Sequence, residues 1–196
     1  MNIAYTMAPG RGDTDLLLYR FAQSLLARGL RPCGTVQINT ERADAGPCDM
    51  DVMVLPKGPV FRISQALGSA SRGCRLDPGA LEEAVGAVSA SLHRDIDCLI
   101  VNKFGKHKAE GRGFRPVIAL ALELDIPVLV GINALNRAAF LEFTGGIASE
   151  VSPDCKALCD WFLNAKGAGQ TAAKTLLPAS GGADLLASDV ASWAVM

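Results

Sequence analysis

The chain of 196 residues lacks most of what announces a function from composition alone. It has almost no net charge: 19 Lys and Arg stand against 20 Asp and Glu, a formal −1. No global field therefore draws it to nucleic acid or to a membrane surface, and neither is expected as a partner. Any anion site must come from local clustering. No apolar run is long enough to span a bilayer. Met1 to Tyr5 runs straight into a strand-like segment, without a basic region followed by an apolar stretch. A secretory signal is not expected, and the cytoplasm is the expected location. Histidine is nearly missing, with only His93 and His107. The six cysteines, Cys33, Cys48, Cys74, Cys98, Cys155 and Cys159, do not replace it as a metal set. Cys155 and Cys159 share a face of an expected helix, but a structural zinc site usually needs four ligands. Cys98 lies in an apolar strand and reads as a small core residue. No internal repeat is evident.

What is present is an ordinary globular balance, 49% hydrophobic and 20% charged, at a length that suits one domain. Strand patterns fall at Asn2–Thr6, Cys33–Ile38, Asp51–Leu55, Asp97–Asn102 and Pro127–Gly131. Helical spacing marks Asp15–Arg28, stopped by Gly29. Asp77-Pro78 opens a second helix, running to about Arg94, with an N-cap and a first-turn proline. Further helices are expected at Phe114–Leu124, Asn133–Phe143 and Pro153–Leu163. Phe61 to Arg75 follows no clear period, and Asp44 to Met50 reads as a surface loop. The continuous apolar run Cys98-Leu99-Ile100-Val101 suits a strand covered on both faces. Strands alternating with helices predict an α/β fold with a mostly parallel sheet flanked by helices. Residues 1–165 form the domain, and 166–196 read as a low-complexity C-terminal tail, poorly ordered or folded against a partner.

In such sheets ligands bind at the carboxyl ends of the strands. That directs attention to the loops after Thr6 and Asn102. The first, Met7-Ala8-Pro9-Gly10-Arg11-Gly12-Asp13-Thr14, stands where a phosphate-binding loop would. Glycines there let backbone N–H groups curl around an anion at a helix N-terminus. Against the pattern G-x-x-x-x-G-K-[ST], Gly12 and Thr14 align, Met7 replaces the first glycine and Asp13 replaces the lysine. The plain alternative is a βα turn whose helix is capped by Asp13 or Thr14. A carboxylate facing a polyphosphate costs roughly a few kcal/mol at short range. Either Asp13 points away, or a cation bridges it, or the ligand is no ordinary nucleoside triphosphate.

The second loop, Lys103 to Arg115, carries Lys103, Lys106, Lys108, Arg112 and Arg115 against only Glu110, a local +4. Gly105, Gly111 and Gly113 permit tight turns and close approach of a ligand. Arg112 and Arg115 flank a helix N-terminus, where positive charge is disfavoured unless an anion is bound. A solvated basic loop is the alternative. Asn102 stands where phosphate-loop enzymes place a magnesium-holding acid. It is neutral and a poorer ligand for a hard cation. Asp97 is at the wrong end of the strand. Arg75 is a third candidate, with a salt bridge to Asp77 or Glu83 as its alternative.

The segments Met7–Gly12, Cys33–Gln37, Gly73–Asp77, Asn102–Lys106 and Glu110–Phe114 resemble an uncharacterised bacterial domain family over about residues 1 to 165. Its members are nucleoside-triphosphatase-like and occur near molybdenum-uptake and nitrogenase-associated genes. The wider likeness is to small nucleotide triphosphatases. The resemblance implies a phosphate-loop NTPase-like three-layer sandwich and a nucleotide or oxyanion ligand. Asp13 and Asn102 depart from the active triphosphatase pattern, which weakens the case for hydrolysis more than for binding.

Three functions follow as expectations. The first is nucleotide binding with weak or absent hydrolysis, linked to molybdenum metabolism. Gly10, Arg11, Gly12, Asp13 and Thr14 would frame the phosphates, with Arg75 and Asn102 beside them. Lys103, Gly105, Lys106, Arg112, Gly113 and Arg115 would complete the site. In a hydrolase, Lys103 or Arg112 would stabilise transferring charge and Thr14 would hold Mg2+ with the nucleotide. The second is a non-enzymatic module for molybdate or a related oxyanion. The third is a scaffold or regulatory subunit, a homo-oligomer among its forms, docking through Leu176, Leu177, Leu185, Leu186 and Trp193. The second loop is expected to hold the ligand, with the first completing the pocket.

Overall fold

A computed structural model describes residues 2–40, 48–65, 75–102, 104 and 113–176. In chain order the elements are β1 (Ile3–Thr6), α1 (Asp13–Ala27), β2 (Pro32–Thr40), β3 (Asp49–Val54), β4 (Val60–Arg62) and α2 (Pro78–Ser91). There follow β5 (Cys98–Val101), α3 (Arg115–Glu123), β6 (Val128–Gly131), α4 (Ala134–Phe143), β7 (Ser149–Glu150) and α5 (Cys155–Leu176). The strands form one sheet in the order β4-β3-β2-β5-β6-β1-β7. From β2 through β5, β6 and β1 to β7 all pairings are parallel. The β2–β3 and β3–β4 pairings are antiparallel and extend one edge.

The alternation of side chains across each strand builds three layers. Ala4, Cys98, Ile100 and Leu129 face α1 and α5, where Leu18, Phe21, Leu25, Leu158 and Phe162 meet them. Ile3, Tyr5, Leu99, Val101, Val128 and Val130 face the opposite layer of α2, α3 and α4. The sheet is therefore covered on both faces, as the unbroken apolar run of β5 predicts. Local signals set the helix ends. Asp77 caps α2, its Oδ1 accepting from the N–H groups of Gly79 (2.9 Å) and Ala80 (3.2 Å). Gly29, at φ +72°, reverses the chain after α1, and the Leu30 N–H donates back to the Leu25 carbonyl.

Three segments differ from expectation. Asp49 and Met50, read as part of a surface loop, open β3 and pair with Thr40 and Asn39. Within Phe61–Arg75, Phe61 and Arg62 belong to a short strand, and Ser64 bridges Leu76. Arg62 holds that edge through Asp51 (2.7 Å) and Asp49 (2.9 Å). Helix α5 does not end near Leu163 but continues to Leu176, across the boundary drawn at residue 165. Its anchors are tertiary. Phe162 packs edge-on against Phe21, the Ala165 carbonyl accepts from Asn2 Nδ2, and Lys166 pairs with Asp97. An Ala- and Gly-rich stretch shows no such partners in sequence.

Asp97 lies at the amino-terminal end of β5, away from the strand ends that carry loops toward a ligand, as expected. Burial alone would raise its pKa. Its bonds from Lys166 and from the Arg31 N–H outweigh burial and hold it below the usual carboxylate range. A lowered carboxyl pKa stabilises the fold above the unfolded value near 4 and loses that contribution as pH falls through the native value. Lys166→Ala is expected to cost up to about 1 kcal/mol at pH 7, since Lys166 is partly exposed. The difference from wild type should shrink below about pH 4. Urea denaturation at both pH values checks this; a pH-independent difference contradicts the ion-pair origin.

Burial pushes the Cys33 thiol up to about 11 and raises that of Cys98 further. Both are core residues rather than nucleophiles. Cys159 is buried and Cys155 half-buried, and both thiols are free. Among the described residues no helix is long and apolar enough to cross a membrane.

Candidate functional site

The parallel register brings two polar residues, Thr6 and Asn102, level with a glycine at the carboxyl edge. Thr6 of β1 pairs with Gly131 of β6, and Val101 of β5 pairs with Val130. Asn102, one residue past Val101, therefore stands level with Gly131. Helix α1 crosses this point closely. A Cβ on Gly131 would lie 2.5 Å from Leu18 Cδ1, 3.0 Å from Thr14 Cγ2 and 3.3 Å from Asn102 Oδ1. Thr14 and Asn102 thus approach each other over a residue with no side chain. Asn102 is only 4% exposed. Its Oδ1 and Nδ2, and Thr6 Oγ1, have no hydrogen-bond partner among the described residues. Buried polar groups left this way are uncommon and call for a partner such as a water, an ion or a ligand.

The first loop begins one residue past Thr6. Gly12 adopts φ +85° and serves as the N-cap of α1, with no side-chain cap bond. The plain alternative, capping by Asp13 or Thr14, is not what forms. The Thr14 hydroxyl instead accepts from the Ala8 N–H at 2.9 Å and closes the loop on itself. The first-turn amides of a long helix are left without a side-chain acceptor, the arrangement that suits an anion. Asp13 folds back over Gly10: a Cβ there would meet its Oδ2 at 2.0 Å. Gly10, Arg11, Gly12 and Thr14 line the adjoining cleft, and Asp13 does not. Asp15 does line it, with Oδ2 accepting from Gln37 Nε2 and Asn39 Nδ2, each at 2.9 Å.

The cleft measures about 1060 Å3 and gathers Asn102 and Phe104 after β5, Gly131 at the end of β6 with Ile132 to Asn136 after it, and Met50 and Arg75 from the antiparallel edge. Arg75 reaches it while tied to the Gln65 carbonyl (3.1 Å), the Cys48 carbonyl (3.2 Å) and Asp49 (3.7 Å). Of its expected partners, Asp77 is the cap of α2. Lys103, Gly105, Lys106 and Arg112, with Lys108, lie outside the described residues. Phe104 is buried and packs edge-on against Phe140 at 5.0 Å. Arg115 does not line the cleft. Its guanidinium sits over Phe143 (5.0 Å) and Phe104 (5.5 Å), bracing the ring that does. Gly113, at φ +76°, donates its N–H to Glu82 and also lies off the cleft.

Sequence reasoning missed Gly131, Asn39 and the start of α4. Asn133 caps that helix, its Oδ1 accepting from the Asn136 N–H at 3.0 Å, and Leu135 stands 74% exposed at the mouth. A cap residue directly after a buried strand was the available signal. Gly131 carried none, because its need arises from the approach of α1.

Among the described lining residues Arg11 and Arg75 are cationic and Asp15 is anionic. A magnesium ion beside Thr14 would find the neutral Asn102, while Asp15 is bonded to two amides and Asp13 lies over Gly10. No cluster of three or more His, Cys, Asp or Glu suited to a metal exists among the described residues. The donor set fits a hard divalent cation poorly.

A solved structure, that of a human cancer-related nucleoside triphosphatase, superposes with TM-score 0.53 over 91% of this chain and 99% of its own, at 15% identity. The two chains share the α/β three-layer fold. The molybdenum import ATP-binding protein ModC 2 of Bradyrhizobium diazoefficiens is 35% identical over 150 residues. That match covers 76% of this chain and only 17% of the relative's length. Residues 3–161 match the protein family of unknown function DUF2478, and the chain belongs to that family.

Proposed function

We propose that this protein binds a nucleotide at the carboxyl edge of its sheet, with weak or absent hydrolysis. The observation that carries the reading is the uncapped start of α1 at left-handed Gly12, opening onto a cleft between the ends of β1, β5 and β6. Phosphate would lie over Gly10–Gly12 with Arg11 beside it, and the base against the apolar side at Ile132 and Leu135. Support comes from the shared fold and from a relative named as ATP-binding, although the matched stretch is a small part of that relative. Neutral Asn102 is the reason hydrolysis is weak: it gives a metal ion no charged oxygen. Lys103, Lys106 and Arg112 are proposed to add positive charge from the second loop, and the cytoplasm is the proposed location.

A second reading, a module for molybdate or a similar oxyanion, is favoured by the unpartnered neutral groups of Asn102 and Thr6 and by the relative's role in molybdenum import. Calorimetric titration with ATP, GTP, their diphosphates and molybdate separates the two. Heat from a nucleotide alone supports the first, and heat from molybdate alone supports the second. No heat from any of them sinks both.

Asp13→Asn is expected to tighten nucleotide binding about tenfold. It removes a negative charge beside the proposed phosphate position while keeping the side chain's shape over Gly10. The gain should fall as salt rises from low to physiological strength. Unchanged affinity at low salt would place the phosphates elsewhere.

A further inference from the structure

Asn102 stands where a magnesium-holding acid is expected, and a neutral amide can do something that an acid cannot. A carboxylate only accepts hydrogen bonds, and it repels an anion unless a cation lies between them. An amide carries two N–H donors. We infer that Asn102 donates directly to the bound anion, so that the site holds a phosphate-type tetrahedral oxyanion without a divalent cation. The inference rests on the proposal that the cleft is an anion site.

Two independent observations converge on it. Asn102 is 4% exposed and lines the cleft, and neither of its polar side-chain atoms has a partner among the described residues. Burial of an unpaired amide is unfavourable until something completes its bonds. Opposite it, across Gly131, starts a helix of 15 residues whose cap supplies no side-chain acceptor. The amide of Asn102 and the first-turn amides of α1 are all donors, and a tetrahedral oxyanion can accept from both. The side chains nearest Gly131, those of Leu18, Thr14 and Asn102, carry no charge, while the carboxylate of Asp15 is held by Gln37 and Asn39.

The test is calorimetric titration of the full chain with ATP, ADP, inorganic phosphate and molybdate, each in EDTA and in excess Mg2+. Wild type should bind with the same Kd, within about threefold, in both conditions. Asn102→Ala should weaken binding about tenfold or more in both, the loss of a hydrogen bond to a charged partner. Asn102→Asp should bind poorly in EDTA and recover about tenfold or more with Mg2+, a split that a merely structural residue would not produce. Asn102→Ala deletes buried unpartnered atoms and should fold at least as stably as wild type. It keeps the test open if the buried carboxylate of Asn102→Asp prevents folding. Nucleotide binding by wild type that requires Mg2+ overturns the inference and leaves the nucleotide reading standing. Phosphate or molybdate bound in EDTA and lost in Asn102→Ala, with nucleotides inert, supports the inference and removes the nucleotide reading. Binding of no anion in either condition overturns both.

Discussion

Gly34→Ala is expected to destabilise the protein by about 3 kcal/mol or more, from overpacking against backbone added to a strained dihedral. Gly34 lies in β2 at φ +111°, a conformation that side chains rarely adopt. A Cβ there would stand 1.9 Å from the Ile100 carbonyl oxygen and within 2.9 Å of the Ile100 nitrogen. These are backbone atoms of the neighbouring strand, paired with Gly34 in register. They cannot yield without opening the β2–β5 pairing. The Gly34 carbonyl also accepts from the Leu55 N–H at 2.9 Å, so the antiparallel edge is strained with it. Urea denaturation followed by circular dichroism reads the loss. A variant within about 1 kcal/mol of wild type would refute the close approach, since a clash with backbone has no cheap relief.

Gly131→Ala should damage stability and binding together. The added methyl meets Leu18 Cδ1 at 2.5 Å and Thr14 Cγ2 at 3.0 Å. Leu18 is fully buried and has no room to rotate away. The relief available is to lift the start of α1 from the sheet, at a cost of about 1–3 kcal/mol. That movement separates the Gly12–Thr14 turn from Asn102. If an anion is held by both, its affinity should fall about tenfold or more, equivalent to 1.4 kcal/mol. Denaturation and calorimetry on the same preparation check the two effects. Stability lost with affinity intact would mean that the ligand does not depend on the spacing between α1 and β5.

Much of the scaffold is legible without coordinates. The apolar run of β5, the spacing of Leu17, Phe21 and Leu25 in α1, and Asp77-Pro78 at the start of α2 each carry a local signal that the fold obeys. Less legible are the elements whose partners are remote. The short β4 is held by pairing with β3 and by Arg62 on Asp49 and Asp51. The extension of α5 past Leu163 is held by Asn2 on the Ala165 carbonyl and by Asp97 on Lys166. Neither Val60–Arg62 nor the stretch after Leu163 carries enough apolar periodicity to declare itself.

The site divides in the same way. The sequence by itself determined that a glycine-containing loop follows the first strand, that Asn102 ends a buried strand, and that positive charge clusters after it. Those features are local, because strand ends, glycines and charges are properties of neighbouring residues. Tertiary structure alone decided that Thr14 and Asn102 meet over Gly131, that Asp13 turns back over Gly10, and that Arg115 braces Phe104 instead of lining the cleft. Each of these depends on how closely one element approaches another. That distance is set by packing between residues far apart in the chain, and no local pattern of residues encodes it.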